Sequence, residues 1–429
     1  MNAPLRSLLI ALALFSTPAP TLRAADLAIV NARVFISPDD PPLDRGTVVV
    51  RDGRIAAVGA DVPVPVGVTV IDGAGFTLTA GFWNSHVHLL PEGFTVATHP
   101  PADLERQLRD LFGRWGFTTV FDLASPLDNA LALRQRVESG EIRGPRVLTA
   151  GNPFFPAGGT PIYVLETYRA RGWNDEVSTP AEARARAVDQ LARGADGVKV
   201  FTGAIVGPPQ GVLPMRPDVA SAAVAPALAA GKPAFAHPTD PRGIRLALDA
   251  GVTVLAHTTP TEGPWPDELV RELARRRVAL VPTLMLLEVA LKEDGVPVAI
   301  RDRMMADAQQ QVRALAAAGG DILFGTDVGF IAEADTTLEY RLMAGAGLDH
   351  RAILRSLTTT PAARFGGAAR SGRLVVGDRA DLVLLGADPS RDIDAFADVR
   401  CTIRDGRVIY AAASTAAVSA PANCDGRVQ

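Results

Sequence analysis

Lysine and cysteine are scarce in this 429-residue chain. Of its 43 basic residues only Lys199, Lys232 and Lys292 are lysines, and there are two cysteines. Two cysteines exclude a structural zinc–thiolate site on ligand count. The formal charge of −4, with no long basic stretch, argues against nucleic acid as the main partner. A hydrophobic fraction of 48% and a charged fraction of 21% are typical of a packed globular protein.

The first 25 residues have the pattern of a cleaved secretory signal peptide. Arg6 precedes an apolar run at residues 8–15, and small residues follow at Ala24 and Ala25. The run is too short to span a bilayer, which takes about 20 residues. We therefore expect a secreted or periplasmic protein with no membrane contact after cleavage; the alternative is an N-terminal helix packed on the domain. In that oxidising compartment Cys401 and Cys424 could pair or stay free.

Both ends of the remaining chain consist of short β-branched runs separated by turns. Residues 26–80 and 367–412 are predicted to form one small β-sandwich domain together, with strands at 27–35, 46–50, 54–58, 372–374, 380–385, 401–404 and 407–410. Asp-Gly pairs at residues 52–53 and 405–406 predict hairpin turns. The Ala/Ser/Pro-rich residues 413–429 are predicted to be a flexible tail.

The middle of the chain, residues 81–366, alternates apolar strand-like runs with Ala/Arg/Leu-rich helical runs. Eight strands are predicted, at 82–88, 118–123, 146–150, 197–201, 233–237, 252–257, 278–282 and 322–327. Helices are predicted between them, for example at 180–193, 221–230 and 302–318. This alternation predicts an α/β fold with a (β/α)8 TIM-like barrel. No strand is followed by G-x-G-x-x-G, which argues against a dinucleotide site.

Polar residues able to bind metal stand where several of these predicted strands end. His86 and His88 are two residues apart and therefore face the same side of their strand. The other members of the set, one at or near the end of a later strand each, are Lys199, His237, His257 and Asp327. An unpaired polar side chain at the end of an apolar run is costly to bury, and barrel chemistry sits at this end of the strands.

This set, framed by the split β domain, resembles the metal-dependent amidohydrolase superfamily, and is closest to its imidazolonepropionase-like and prolidase-like members. The runs TTPAARFG at 359–366 and GRLVVGDRADLV at 372–383 add to the resemblance. It implies two divalent metal ions, usually Zn²⁺. The implied ligands of one ion are His86, His88 and Asp327, those of the other are His237 and His257, and Lys199, carboxylated by CO₂, bridges both. A hydroxide that bridges the ions would attack the substrate carbonyl, with Asp327 as the catalytic proton carrier.

The resemblance implies hydrolysis of an amide-type C–N bond in a small molecule such as a dipeptide, an N-acyl amino acid or a cyclic amide. Tyr163, in the loop after the third strand, is a candidate to bind the substrate carbonyl. That loop has Thr160 where several prolidase-like relatives have histidine, which puts a dipeptidase assignment in doubt. His99 and His350 lie outside the motifs and are expected at the surface.

Other functions stay open on the sequence. A lactone or ester hydrolase could use the same site. A mononuclear deaminase-like enzyme would use His86, His88, His237 and Asp327, with Asp240 near the position of an acidic residue in deaminases. An exported metal-binding scaffold without turnover is the third alternative. A homo-oligomer is compatible with the sequence, which does not specify one.

Overall fold

The computed structural model describes residues 26–90, 95–367, 371–413 and Cys424. The predicted signal peptide, and the predicted tail apart from residues 413 and 424, lie outside the described residues. The first strands are β1 Leu27–Val34, β2 Leu43–Arg51, β3 Arg54–Gly59, β4 Thr69–Asp72 and β5 Thr77–Ala80. The middle strands are β6 Phe82–Val87, β7 Phe117–Asp122, β8 Arg146–Thr149, β9 Phe155–Pro156, β10 Glu176–Val177, β11 Val198–Phe201, β12 Gly203–Gly207, β13 Gly211–Pro214, β14 Ala234–His237, β15 Val254–Ala256 and β16 Ala279–Val281. The last are β17 Leu382–Leu385, β18 Val399–Arg404 and β19 Arg407–Ala411.

The helices lie between the middle strands and after them. They are α1 Pro101–Leu111, α2 Leu127–Glu138, α3 Leu165–Arg171, α4 Pro180–Arg193, α5 Pro217–Ala229, α6 Pro241–Ala250, α7 Asp267–Arg275, α8 Leu284–Glu293, α9 Val298–Ala317, α10 Thr337–Gly345, α11 His350–Leu357 and α12 Thr359–Phe365. Residues at both ends of helix α4 explain where it begins and ends. Thr179 caps it by accepting the N–H of Glu182, and it stops at Gly194, whose φ is 116°. Among the described residues, none of the helices combines the length and apolar character of a membrane span.

The strands from both ends of the chain belong to one eight-stranded sheet, in the order β19-β18-β17-β5-β1-β2-β3 with β4 beside β1. β17 pairs antiparallel with β5, which joins the two ends. Both predicted hairpin turns are confirmed: Asp52 and Gly53 have φ of 47° and 73°, and Asp405 and Gly406 have 48° and 74°. Positive φ at both positions defines the turn whose twist matches a β-hairpin. The structure also pairs Cys401 with Cys424 in a disulfide, with the Cα atoms 6.2 Å apart.

The predicted strand at residues 372–374 is wrong. These residues form a bend after α12, where Gly372 has a φ of 81° that does not fit an extended strand. A Cβ at Gly372 would lie 2.7 Å from the carbonyl oxygen of Thr358, so the chain turns tightly against the helix that precedes it. The N–H of Leu374 still donates to the carbonyl of Ile36 at 2.9 Å, so the segment attaches to the terminal sheet without joining it as a strand.

Two parallel sheets form the middle of the chain, β6-β7-β8 and β11-β14-β15-β16. On one side the N–H of Asp196, just before β11, donates to the carbonyl of Thr149 at 2.7 Å. On the other side residues 322–328 lie between β16 and β6. There the N–H of Leu323 donates to Leu280 and the N–H of Ser85 donates to Phe324, both at 2.8 Å. The middle is therefore an α/β structure in which parallel strands point the same way.

Seven of the eight predicted middle strands contain or overlap an observed strand. The eighth, predicted at 322–327, is wrong as a continuous strand: it makes only isolated parallel bridges, from Ile322 to Leu280 and from Val328 to Val87. Asp327 has a φ of 63°, which interrupts the extended conformation at the residue that the site needs. The pairs β9/β10 and β12/β13 were not predicted, because they are short and lie in loop-like sequence.

An apolar layer lies beneath the carboxyl ends of the parallel strands. Its fully buried members include Phe121, Phe235, Val254, Val281 and Leu323, and they pack together as one cluster. Each comes from a different strand or from residues 322–328. Because this apolar layer fills the space next to them, the polar residues that follow it face the carboxyl ends of the strands.

Candidate metal centre

The structure brings the six predicted ligand residues to one place. His86 lies in β6 with His88 just after it, Lys199 lies in β11, His237 ends β14 and His257 follows β15. Asp327 comes from the irregular segment beside β6, where its N–H donates to the carbonyl of His86 at 2.8 Å. The strands are parallel, so these positions meet at their carboxyl ends. His86, His88, Lys199 and Asp327 are buried, while His237 and His257 are half-buried.

His86, His88 and Asp327 converge on one point. Asp327 Oδ1 lies 3.1 Å from His86 Nε2 and 2.7 Å from His88 Nε2. One potential ligand atom from each residue lies within 4.8 Å of the others. Two imidazole nitrogens and a carboxylate oxygen are donors that divalent zinc accepts, and Asp327 Oδ1 has no conventional hydrogen-bond donor. These three residues therefore fit a divalent cation.

His237 and His257 lie on the other side of this group. Their ring centroids are 4.6 Å apart, and the ring of His257 is 4.7 Å from that of His86. His257 Nε2 lies 4.0 Å from Asp327 Oδ2, whereas Asp327 Oδ1 faces the first pair of histidines. The ring of Phe201 stacks on His237 at 4.6 Å. The carboxylate of Asp327 thus faces His86 and His88 with one oxygen and His257 with the other, and His237 lies next to His257.

Burial favours the neutral form of three imidazoles, those of His86, His237 and His257. Burial lowers the pKa of His86 to about 3, although the negative charge of Asp327 opposes this shift. The pKa values of His237 and His257 are also well below the ordinary range, first because of burial and then because of nearby positive charges. Burial alone would raise the pKa of Asp327, but His86 and His88 hold it well below its usual value. Neutral imidazoles and an ionised carboxylate are the forms that bind metal.

Lys199 is the buried amine of the site. Its Nζ lies 3.1 Å from His86 Nε2 and 5.3 Å from the ring centroid of Phe201. Burial lowers the pKa of Lys199 to about 8, although the charges of Asp327 and Asp122 oppose this shift. A tenth or so of a group with this pKa is neutral at pH 7, and only a neutral amine can react with CO₂. The environment therefore allows carboxylation of this lysine.

Two site residues have a strained backbone. Asp327 has a φ of 63° and His257 a φ of 86°, in the left-handed region that non-glycine residues seldom adopt. Gly329 follows Asp327 with a φ of 102°, and a Cβ there would lie 2.0 Å from the carbonyl oxygen of His88. Only glycine permits this close approach of the two ligand segments. Such strain persists where the surrounding structure holds it, and it is typical of functional sites.

Asn84 is a residue that the sequence argument missed. Its Oδ1 accepts from the N–H groups of His86 at 3.2 Å and Thr326 at 3.3 Å, and its Nδ2 donates to Thr326 Oγ1 at 2.8 Å. It therefore joins β6 to the segment that carries Asp327. A signal was present, since Asn84 stands two residues before His86 and faces the same side of the strand.

Thr283 and Glu339 support His257 and were also missed. Thr283 Oγ1 lies 2.7 Å from His257 Nδ1 and donates to the carbonyl of Pro282 at 2.8 Å. With that hydrogen on the Pro282 carbonyl, the oxygen can accept from Nδ1–H, which leaves the Nε2 of His257 a lone pair for a cation. Buried Glu339 accepts from the N–H groups of Leu284 at 3.1 Å and Met285 at 2.5 Å, at the start of α8. Neither role has a local sequence signal.

Asp122 is the last residue of β7, a strand-end position like those of the predicted ligands. This position was a sequence signal for Asp122, which was not predicted as a site residue. It is fully buried, and its carboxylate accepts from the N–H of Leu89 at 3.1 Å, from Thr149 Oγ1 at 2.6 Å and from the Ser125 hydroxyl. Burial raises its pKa, although the nearby His88 opposes the shift. Asp122 thus links β7 and β8 to the residues that follow His88.

The loop after β8 runs beside the centre. Thr160 is held by Glu176, whose Oε1 accepts from its hydroxyl at 2.7 Å and from its N–H at 3.1 Å. The ring of Tyr163 packs edge-on against Phe330, with centroids 5.2 Å apart. The side chain is 42% exposed overall, yet the pKa of its hydroxyl is raised by burial and by the charge of Asp327. Tyr163 therefore lies on a loop that packs against Phe330, three residues after Asp327.

Three other candidate residues have structural surroundings. Asp240 caps α6 by accepting from Gly243 N–H at 2.7 Å and pairs with Arg242 at 3.1 Å, so its oxygens are engaged away from the ligands. His99 and His350 are half-buried and not fully at the surface as expected. The ring of His350 lies 6.3 Å from that of Phe35.

Comparisons with known proteins agree with this architecture. The profile of the amidohydrolase family matches residues 77–409. The chain is 25% identical over 412 residues to an ochratoxinase of Aspergillus niger, covering 87% of this chain and 84% of the relative. A putative prolidase of Bifidobacterium longum has a TM-score of 0.75 at 24% identity, over 90% of this chain and 95% of the other. A Xaa-Pro dipeptidase solved with methionine in its active site has a TM-score of 0.76 at 22% identity, over 90% and 100%.

The chain belongs to the amidohydrolase family, since the family profile covers more than half of its length. It is therefore a hydrolase with the α/β, TIM-barrel-like fold of these enzymes. The family resemblance predicted from the strand-end residues is confirmed. At their level of identity the two solved structures show the fold alone.

Proposed function

We propose that the chain is an exported metal-dependent hydrolase that cleaves an amide-type C–N bond in a small molecule. The observation that carries this proposal is the convergence of His86, His88 and Asp327 on one point, with the two other histidines and Lys199 beside them. The family and the likeness to an ochratoxinase and to prolidase structures support hydrolysis of an amide bond. The two parallel sheets, with residues 322–328 between them, support a closed eight-stranded barrel around the apolar layer.

The residues present fit two divalent ions, which we propose to be Zn²⁺. His86, His88 and Asp327 would hold one, and His237 and His257 the other, with carboxylated Lys199 between them. Such ions, when bound, supply a water of lowered pKa and polarise the substrate carbonyl. The distance of 3.1 Å between Lys199 Nζ and His86 Nε2 supports this role for the lysine, because it places the amine beside the first set of ligands.

Asp327 is the proton carrier in this proposal. Its carboxylate is buried, ionised and within 4.0 Å of three histidine nitrogens, so it lies beside any water held by these groups. It accepts a proton from the attacking water and delivers it to the leaving nitrogen. Tyr163, whose ring packs on Phe330 three residues after Asp327, is the proposed donor to the substrate carbonyl oxygen. In this proposal Asp327 carries the transferred proton and Tyr163 supplies the hydrogen bond to the carbonyl oxygen.

Metal analysis of the purified protein tests the centre. We expect about two zinc ions per chain, whereas one ion would support the mononuclear deaminase-like enzyme. Asp327→Asn should remove turnover of dipeptides, N-acyl amino acids and cyclic amides while the thermal unfolding curve stays cooperative. Full activity in this variant contradicts the role of Asp327. Turnover of lactones or esters alone would favour a lactone or ester hydrolase. Bound metal without turnover of any compound would indicate a metal-binding scaffold.

The role of Lys199 has a separate test. ¹³CO₂ should produce a carbamate signal in the ¹³C spectrum of the wild type that is absent from Lys199→Ala. The matched control is Lys292→Ala, since Lys292 is exposed on α8. A Lys199→Ala variant that keeps both metals and full activity would refute the bridging role.

Export and assembly complete the proposal. The N-terminal sequence of the protein recovered from its host should begin near residue 26 if the leader is cleaved. Light scattering would then give the oligomeric state of that mature form. An intact N-terminus in a cytoplasmic fraction would contradict export.

A further inference from the structure

Four apolar side chains are exposed beside the metal centre, and we call them the apolar rim. They are Ile162, Tyr163, Ile205 and Phe330, with exposed fractions of 49%, 42%, 38% and 38%. Two contacts join the segments that carry them: the Ile162 N–H donates to the Ile205 carbonyl at 2.8 Å, and the rings of Tyr163 and Phe330 meet at 5.2 Å. Single exposed apolar residues are ordinary, but a contiguous group next to a site marks an interaction surface.

The rim is built on the same elements as the ligands. Phe330 lies three residues after Asp327, and its N–H donates to the Asp327 carbonyl at 3.1 Å. Ile205 lies in β12, which directly follows the β11 strand that carries Lys199. The ring of Tyr163 packs against that of Phe330, which joins the loop of Tyr163 to the segment that carries Asp327. A group packed on the rim is therefore adjacent to the proposed reacting bond.

The rim is held in place before any substrate binds. Glu176 accepts from the N–H groups of Gly158 at 2.7 Å and Thr160 at 3.1 Å, which anchors the loop that carries Ile162 and Tyr163. Beneath it, Phe155 packs edge-on against Phe201 at 4.7 Å. The two rim rings meet at 71°, an edge-to-face arrangement that leaves aromatic surface free to contact a ligand. A preformed apolar surface loses little entropy on binding.

We infer that the substrate carries a bulky apolar group, aromatic or branched aliphatic, next to the scissile amide, and that Tyr163 and Phe330 select it by packing against it. This inference rests on the proposed function and names the substrate class for that site. A charged or strongly polar group at this position would lose its hydration against the rim without gaining a partner. Specificity is therefore for amides of residues such as phenylalanine or leucine over those of glycine or aspartate.

The test compares amides that differ only in this group. N-acyl amino acids and dipeptides with phenylalanine, leucine, glycine or aspartate beside the bond are assayed with the wild type and with Phe330→Ala. The loss of one ring face should lower kcat/KM for the phenylalanine and leucine members about tenfold and change the glycine member by less than about twofold. Val376→Ala, at a residue that is 59% exposed in the terminal sheet region, is the control and should change neither.

A second pair of variants separates ring from hydroxyl. Tyr163→Phe keeps the ring and should retain the preference for apolar members, whereas Tyr163→Ala should reduce it as Phe330→Ala does. Equal kcat/KM for phenylalanine and aspartate members in the wild type, or an equal fall for all members in Phe330→Ala, overturns the inference.

Binding distinguishes this inference from the proposed function. If no member is hydrolysed, the proposed function fails, and calorimetry with the same compounds then decides the inference. Binding of the phenylalanine member at least about tenfold tighter than the glycine member, lost in Phe330→Ala, supports it. Equal binding of both members overturns it. Thermal unfolding of each variant confirms that the protein is folded when measured.

Discussion

Thr283→Val should weaken metal binding at the position that includes His257, although Thr283 touches no metal in the proposed centre. The substitution keeps the shape of the side chain and removes the oxygen that lies 2.7 Å from His257 Nδ1. The Nδ1–H then loses its buried acceptor, and the imidazole is free to take the other tautomer, with the hydrogen on Nε2. That tautomer cannot bind a cation through Nε2.

The size of the effect follows from this one hydrogen bond. A buried hydrogen bond whose partner is removed costs about 1–2 kcal/mol, and each 1.4 kcal/mol is a factor of ten in affinity, so a loss of about 5- to 30-fold is expected. Removing a group that orients a metal-binding histidine usually costs about 10- to 100-fold, which agrees. Thr283→Ser keeps the hydroxyl and should bind metal within about threefold of the wild type. A difference of this size is about the variation that one hydrogen bond shows between different surroundings.

Calorimetric titration of Zn²⁺ into metal-free protein measures this directly. The matched control is Thr402→Val, because the hydroxyl of Thr402 also makes one buried hydrogen bond, to the carbonyl of Gly113 at 2.6 Å, but in β18 and away from the centre. The control should lower the free energy of unfolding without changing metal affinity. Wild-type affinity in Thr283→Val, or equal losses in Thr283→Val and Thr402→Val, would refute the reasoning.

Three other predictions concern the supports of the fold and the site. Burial raises the pKa of Glu339 to about 8 from its ordinary 4.5, so the folded protein keeps a proton that the unfolded chain loses and this contribution to stability falls as the pH rises from 4.5 to 8. Glu339→Gln cannot titrate, so its free energy of unfolding relative to the wild type should rise between pH 5 and pH 8, and a constant difference would contradict the shift. Asn84→Ala removes three buried hydrogen bonds and should lower the free energy of unfolding by about 2–3 kcal/mol in denaturant titrations, more than the ~1 kcal/mol of an average substitution. Reduction of the Cys401–Cys424 disulfide, which closes a loop with a separation of 23 residues, should lower the thermal stability by about 3 kcal/mol, and an unchanged melting temperature would argue against its formation.

Local sequence signals predicted much of the fold. The Asp-Gly pairs specified both hairpin turns, because aspartate and glycine tolerate the positive φ that these turns need. Helix α4 was predicted with its observed ends because proline opens it and Gly194 closes it. The segment 322–328 could not be predicted in the same way. Its apolar pattern indicates a strand, but the close packing of Gly329 on His88 and the left-handed Asp327 depend on a neighbouring strand far away in the sequence.

The candidate site, like the fold, was predicted from the sequence only in part. The metal-binding residues could be chosen from the sequence, since each is a polar residue at the end of an apolar run where an unpaired side chain would be costly to bury. The contacts that support them could not. Asn84 shares a face of β6 with His86, but its contact with Thr326 spans 242 positions of sequence, and the contact of Glu339 with Leu284 spans 55. Such pairs leave no periodic pattern for a single sequence to show.

The sequence by itself predicted that this protein is a globular α/β hydrolase of one family, and it named the six side chains of the proposed centre. It did so because strand periodicity and residue chemistry are local properties. Only the tertiary structure decided that Asp327 Oδ1 lies beside His86 and His88 while Oδ2 faces His257, and that the Thr283 hydroxyl lies beside His257 Nδ1. Those are distances between segments remote in sequence, and burial and hydrogen bonding, which set the pKa of Lys199 and the tautomer of His257, exist only once those segments are packed together.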